Sequence, residues 1–178
     1  MICGKAEMAC RKEKHQYTES GLDNIYLDNV EYCRCPTCGE ESVHIPSMAN
    51  LHRLIGFCLI QKRSLLSGKE IRFLRKNLGL KANEIADIMG VDIATVSRWE
   101  SGKQPMSKPN DRFFRLVYSG IKGLSGEKVR HLIRDCFKEI DSENDAQEWT
   151  IPLNEWSGSI PFNPILTPNN TETKTAGG

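Results

Sequence analysis

Apolar side chains recur every three or four positions over residues 47–142, fall into short runs before that stretch, and lose their period after it. In SMANLHRLIGFCLIQKR, Leu51, Leu54, Ile55, Cys58 and Leu59 keep helical spacing, and Ser47 after Pro46 is placed to cap a helix. Five more segments carry the same period: GKEIRFLRKNLG, KANEIADIMG, DIATVSRWESG, PNDRFFRLVYSG and SGEKVRHLIRDCFKEID. Four of the five end at or beside glycine, the expected stop signal. Upstream, HQYTES and NIYLDNVEY have strand composition, and SGLDN between them supplies turn residues, which predicts a β-hairpin. Downstream, Trp149 and Trp156 flank Ile151 and Leu153, so residues 148–166 are expected to dock on this chain or on a partner. The Pro, Asn, Thr and Gly beyond them point to a disordered end.

These patterns predict an α+β protein: a small β-rich module over 1–46, a linker helix over 47–66, an all-α domain over 67–142, and an acidic, largely flexible tail over 143–178. The first module is too small for burial alone to stabilise it, which leaves room for a metal. Charge separates along the same boundaries. Residues 1–50 hold 5 basic and 8 acidic side chains, residues 51–140 hold 18 and 9, and residues 141–178 hold 1 and 6. A basic middle between acidic ends is the footprint of a nucleic-acid-binding module.

No apolar run is long enough to span a bilayer, and MICGKAEMACRKEK lacks the apolar core of a secretory signal, so a cytoplasmic protein is expected. In a reducing compartment the seven cysteines are expected to bind metal or lie buried, not to form disulfides. Cys58 and Cys136 sit in helical apolar patterns and read as small buried hydrophobes.

Two motifs carry chemistry. Over Leu74–Pro105, Ile85, Ala86, Ile88 and Met89 give one helix its apolar face, Gly90 permits a tight turn and Val91 plugs it. In the following helix Val96 and Trp99 face inward, leaving Ile93, Ala94, Ser97 and Arg98 outward, a surface suited to the major groove. The second motif, YCRCPTCGEE, holds Cys35 and Cys38 as a Cys-x-x-Cys knuckle shaped by Pro36 and Gly39, half of a tetrahedral structural zinc site. For the other half, MICGKAEM offers Cys3 alone; Cys10, Cys33 and His15 are the alternatives, as is a translation start lying further upstream. A hydrolytic zinc is not expected, since no His-x-Glu precedes the knuckle, and neither a phosphate-binding glycine loop nor a nucleophile elbow is present.

The helical stretch resembles the helix-turn-helix of the Xre and phage-repressor family, including its TVSRWE.G signature. The resemblance implies that Arg98, Ser97, Ala94 and Ile93 reach base edges, with Arg98 gripping a guanine, while Thr95 and Lys103 hold phosphate. It also implies a structural ion pair between Arg75 and Glu100. Many members begin the first motif helix with Gln where this chain has Ala82, so Lys81 or Asn83 stands in for that contact.

CGKAEM, YTESGLDNIYL and CPTCGE together resemble the N-terminal module of YgiT/MqsA-type antitoxins, which in that family precedes the same helix-turn-helix. There the first ligand pair is Cys-x-x-Cys, and Cys3 aligns with its second cysteine. The resemblance implies structural Zn2+ on Cys3, Cys35 and Cys38; it supplies no fourth ligand from this chain, for which the residues themselves favour Cys10, with Cys33, only two positions from Cys35, as its alternative. It implies a non-enzymatic antitoxin of a type II toxin-antitoxin pair: a homodimer on a palindromic double-stranded operator, repressing its own operon and neutralising a toxin encoded next door. Its location would be the cytoplasm, at the nucleoid through DNA. The alternative is a stand-alone zinc-containing transcriptional regulator that responds to metal or thiol oxidation.

Overall fold

Among the described residues, the strand Ile25–Arg34 (β2) collects every other strand around it. In this computed structural model, which describes residues 3, 6–140 and 148–157, β1 (Ala9–Gln16) runs antiparallel along one edge of β2. The other edge is shared: β3 (Glu41–His44) pairs antiparallel with Glu31–Arg34, and β4 (Trp149–Pro152) pairs parallel with Ile25–Asp28. The chain divides into two compact units, and this sheet belongs to the first, drawn from Met1–Thr18, Asp23–Met48 and Ala146–Gly178.

The first strand lies earlier than HQYTES: it ends at Gln16, and Thr18–Ser20 form a short 3-10 turn. Arg11, Lys12 and Lys14 of β1 are exposed, as suits a strand at the sheet edge, and such a strand shows no apolar alternation to find in the sequence. Within the pair, Glu13 faces Val30 but His15 faces Leu27, so the ladder carries a bulge, with Asn29 at φ 66°. The bulge explains a spacing that plain alternation does not: Ile25, Leu27 and Val30 are all buried because the extra residue returns Val30 to the core face.

Residues 148–157 dock on this chain, one of the two outcomes expected for them. The parallel register sets Trp149 beside Ile25 and Ile151 beside Leu27, all four buried. The Trp149 amide donates to the Asn24 carbonyl at 2.9 Å, and Trp156, 1% exposed, donates through Nε1 to the Pro46 carbonyl at 3.0 Å. The disorder expected toward the C-terminus concerns residues outside those described.

The second unit, Glu19–Leu22 and Ala49–Asp145, is helical. It contains α1 (Met48–Gln61), α2 (Gly68–Asn77), α3 (Ala82–Met89), α4 (Ile93–Glu100), α5 (Lys108–Ile121) and α6 (Gly126–His131). After α6 the helix widens into a π turn over Leu132–Cys136 and tightens into a 3-10 turn over Phe137–Glu139. From Leu54 to Ile60 every residue of α1 is buried, Gly56 and Cys58 included, so α1 is a core helix of this unit where a linker was expected. Cys136 is buried too.

Gly56 has no alternative at its position. A Cβ there would overlap the Tyr118 Oη, and the Tyr118 hydroxyl is held by Asn77 Oδ1 at 2.7 Å in a site where the ring is 1% exposed. Burial pushes the Tyr118 phenol up, consistent with a neutral donor. Gly56→Ala is therefore expected to cost about 1 to 3 kcal/mol, read as a lower thermal midpoint of the helical unit.

Charge is buried between α1 and α2 as well. The Lys62 ammonium lies 3.0 Å from each carboxylate oxygen of Glu70, both side chains almost fully buried. Glu70 also accepts from the Ser67 amide at 2.7 Å, closing a capping box on α2. No helix among the described residues is long and apolar enough to cross a membrane.

Candidate functional site

The turn between α3 and α4 is built by backbone chemistry that the sequence announces. Gly90 adopts a left-handed conformation (φ 65°) as the C-cap of α3, and the Val91 amide returns to the Ala86 carbonyl at 3.0 Å. Asp92 then caps α4, its Oδ1 accepting from the Ala94 amide at 2.7 Å. At the start of α3 the Lys81 amide donates to Glu84 Oε2 at 2.6 Å, so the backbone of Lys81 is fixed while its side chain remains exposed.

Ile85, Ala86 and Met89 of α3 and Val96 and Trp99 of α4 are buried. Ile88 is not: at 43% exposure it lies off the stripe made by the other three α3 residues, a correction to the apolar face expected for that helix. On α4, Ile93, Ala94, Ser97 and Arg98 are exposed, Ile93 by 51%. Thr95 is half-buried and accepts from Arg98 Nη2 at 3.1 Å, so it braces the guanidinium. Asn83 and Lys103 are exposed on either side of the α3–α4 pair in sequence.

A rigid clamp sets where α4 stands. Arg75 of α2 grips Glu100 with two bonds, Nε to Oε1 at 2.5 Å and Nη2 to Oε2 at 2.9 Å, and its Nη1 donates to the Leu80 carbonyl at 2.8 Å. The two side chains are about one-tenth exposed, and the Glu100 hydrogen bond raises the Arg75 pKa above its ordinary value. Gly68 lets α2 approach the end of α4, since a Cβ there would lie 2.5 Å from the Trp99 carbonyl oxygen.

The second site lies at the end of the sheet unit. Beyond β2 the chain turns through Cys35–Cys38, closed by the Gly39 amide on the Cys35 carbonyl at 2.9 Å and the Cys35 amide on the Glu40 carbonyl at 2.8 Å, with Gly39 at φ 72°. This turn brings Cys35 and Cys38 to Cys3, whose Sγ is 3.6 Å from that of Cys35, and the three sulfurs lie within 4.8 Å of one another. The amides of Cys38 and Thr37, followed by the Cys38 thiol, lower the Cys35 thiol to a pKa of about 7. Three thiols at these separations suit a tetrahedral metal, whose two sulfur ligands at ~2.3 Å stand about 3.8 Å apart. The group can hold a metal ion.

Cys10 does not complete this group, and neither does Cys33. The two are joined to each other as a disulfide, where reduced cysteines were expected. The strand register is the cause: Cys10 and Cys33 are directly opposite in the β1–β2 pair, with Cα atoms 4.1 Å apart, so each is the other's nearest thiol. His15 pairs with Leu27 farther along β1 and also stands outside the group. The cysteine spacing alone could not reveal this, because it depends on where β1 begins.

Comparison with known proteins adds independent weight. The family described as "Antitoxin component of bacterial toxin-antitoxin system, MqsA" matches residues 1–119, which take in the cysteine group, the helix-turn-helix and most of α5. An uncharacterized HTH-type transcriptional regulator, YiaG, from Escherichia coli K12 is 40% identical over 48 residues, 27% of this chain and 50% of the relative. The same-named proteins of Escherichia coli O6:H1 and O157:H7 match to the same extent. The chain thus spans about half the length of these curated relatives. No solved structure matches it. With two-thirds of its length covered by one family description, this chain belongs to the MqsA family of bacterial antitoxin components.

Proposed function

We propose that this protein is the antitoxin of a type II toxin-antitoxin system, neutralising a toxin encoded beside it and repressing its own operon. The observation that carries the reading is that a single family description runs through both the cysteine-bearing sheet and the helix-turn-helix. The HTH-type transcriptional regulators among its relatives support the DNA-binding half. In this reading α4 lies in the major groove: Arg98, Ser97, Ala94 and Ile93 meet base edges, Thr95 and Lys103 serve phosphate, and Lys81 or Asn83 adds a contact from the start of α3. A homodimer would place two such helices on a palindromic operator, with half-sites about 10 bp apart. The exposed apolar side chains of Phe113, Ile121 and Ile133 give the helical unit surface that pairing can bury. Structural zinc on Cys3, Cys35 and Cys38 would hold the end of the sheet unit, the acidic part of the chain, which suits a basic toxin. The setting is the cytoplasm.

The test is to express the full chain with its chromosomal neighbours, purify it by a tag, and identify by mass what accompanies it. A neighbour-encoded protein in stoichiometric amount is the expected result. A chain that arrives alone yet binds its own promoter favours the alternative, a stand-alone regulator responding to metal or thiol oxidation. The Cys10–Cys33 pair is the observation on that side.

Arg98 supplies a sharper test. Arg98→Ala is expected to weaken specific operator binding by about 1 to 3 kcal/mol, roughly five- to 150-fold, and to leave thermal unfolding unchanged because the side chain is exposed. Unaltered affinity in a binding titration at fixed salt would remove α4 from the groove.

A further inference from the structure

The geometry points to a second metal site, distinct from the Cys3, Cys35 and Cys38 group, formed by Cys10, Cys33 and Glu31 and opened by reduction of the Cys10–Cys33 disulfide. Its ligand would be a thiophilic divalent cation of the zinc class. The inference depends on neither the toxin nor the DNA reading.

Strand register brings the donors together. Cys10 faces Cys33 across the β1–β2 pair, and Glu31, two residues before Cys33, presents its side chain to the same face of the sheet. The two sulfurs and a Glu31 carboxylate oxygen lie within 4.8 Å of one another. A tetrahedral cation needs sulfur ligands about 3.8 Å apart, so separating the two thiols by a side-chain rotation suffices. On the third strand His44 pairs with Glu31, which puts an imidazole on this same face beside the carboxylate as the candidate fourth ligand.

Glu31 and His44 are exposed, and neither side chain makes a hydrogen bond or ion pair among the described residues, although Lys12 stands opposite Glu31 in the register. Face assignment separates them from the core, since Val30 and Tyr32 alternate with Glu31 and Cys33 along β2 and Val30 is fully buried. A thiol pair, a carboxylate and an imidazole on three adjacent strands form a borderline-soft donor set that suits zinc better than calcium or magnesium.

Opening the site is ordinary thiol–disulfide exchange with a cellular dithiol. One thiolate of the dithiol attacks a sulfur of the pair to give a mixed disulfide. Its second thiolate then closes the dithiol's own disulfide, releasing Cys10 and Cys33, which take up two protons. Cation binding displaces those two protons to solvent. Oxidation of the pair to the disulfide delivers two electrons to the oxidant, a peroxide or an oxidised dithiol, and expels the ion. The β1–β2 edge is thus cross-linked either by a disulfide or by a metal.

The experiment is an anaerobic cobalt(II) titration of the full chain, read by thiolate-to-cobalt charge-transfer absorption and by counting protected thiols. Reduced protein is expected to take up one equivalent more than protein whose Cys10–Cys33 disulfide has been verified by peptide mass mapping. In the reduced state Cys33→Ser and Cys10→Ser should each lose that equivalent while the Cys3, Cys35 and Cys38 group keeps its own. Glu31→Gln retains both thiols and leaves the exposed face of β2 intact, and it should weaken the second equivalent by at least about tenfold. Equal uptake by reduced and disulfide-bonded wild type would overturn the proposal. So would Glu31→Gln and Cys10→Ser variants that bind as the wild type does, since Cys33 would then be serving the other group.

Discussion

Replacing Arg115 by Met is expected to destabilise the helical unit by about 4 kcal/mol, a large share of the stability of an ordinary domain. Arg115 and Asp111 are both fully buried on α5, one helical turn apart, with Arg115 Nε donating to Asp111 Oδ1 at 2.6 Å. The rest of the guanidinium is spent on backbone: Nη1 donates to the carbonyls of Ile60 at 3.0 Å and Lys62 at 2.5 Å, and Nη2 to that of Ser64 at 2.7 Å. Asp111 Oδ2 accepts from the Leu66 amide at 2.8 Å. These bonds tie down carbonyls of the last turn of α1 and of the irregular chain that follows it. A methionine side chain fills much of the volume but leaves three orphan carbonyls and an unpaired carboxylate, and the second of these costs most. The measurement is equilibrium urea unfolding followed by tryptophan fluorescence. Adding Asp111→Asn to the Arg115→Met variant should recover part of the loss by removing the stranded charge, and no recovery would mean that the orphan carbonyls dominate.

Trp156→Ala should cost the sheet unit about 3 to 5 kcal/mol, the range for emptying a buried aromatic site. The indole is 1% exposed and also satisfies the Pro46 carbonyl, so the substitution creates a cavity and orphans an acceptor together. The expected readout is specific. Backbone amides of Trp149–Ile151 should lose hydrogen-exchange protection, and those where β4 joins Ile25–Asp28 should follow, while amides of α2 to α5 keep theirs. Uniform loss across the whole chain would show that the two units unfold as one. The result bears on function because residues 148–157 lie outside the matched range 1–119, so this sheet carries an element the family description does not include. In the antitoxin reading that element occupies part of the β2 edge, and a partner that needed this edge would compete with it.

Much of the helical unit was legible beforehand because its signals are local. Helical period, glycine stops and the Gly90 turn act over a few residues, so the six helices and the inward placing of Val96 and Trp99 follow from the chain itself. The knuckle at Cys35 and Cys38 was legible for the same reason. Ile88 escaped because two adjacent apolar stripes on a short helix cannot be ranked until the neighbouring helices are in place. The charged edge strand β1 escaped because its place is held by ladder hydrogen bonds to β2, not by any apolar pattern of its own.

What the amino-acid sequence determined by itself is the α+β class, the helix-turn-helix and the half-site at Cys35 and Cys38, all set by residues within one turn or one helix of each other. The tertiary structure alone decided the partners across long separations. It set Cys10 against Cys33, brought Cys3 to the knuckle, and laid Trp149–Pro152 along Ile25–Asp28. Each of these is a matter of register or of loop closure, over separations that run from 23 positions for the disulfide to 124 for Trp149 against Ile25. A one-residue slip of β1 would turn Cys10 to the opposite face and away from Cys33, and no local propensity encodes that choice.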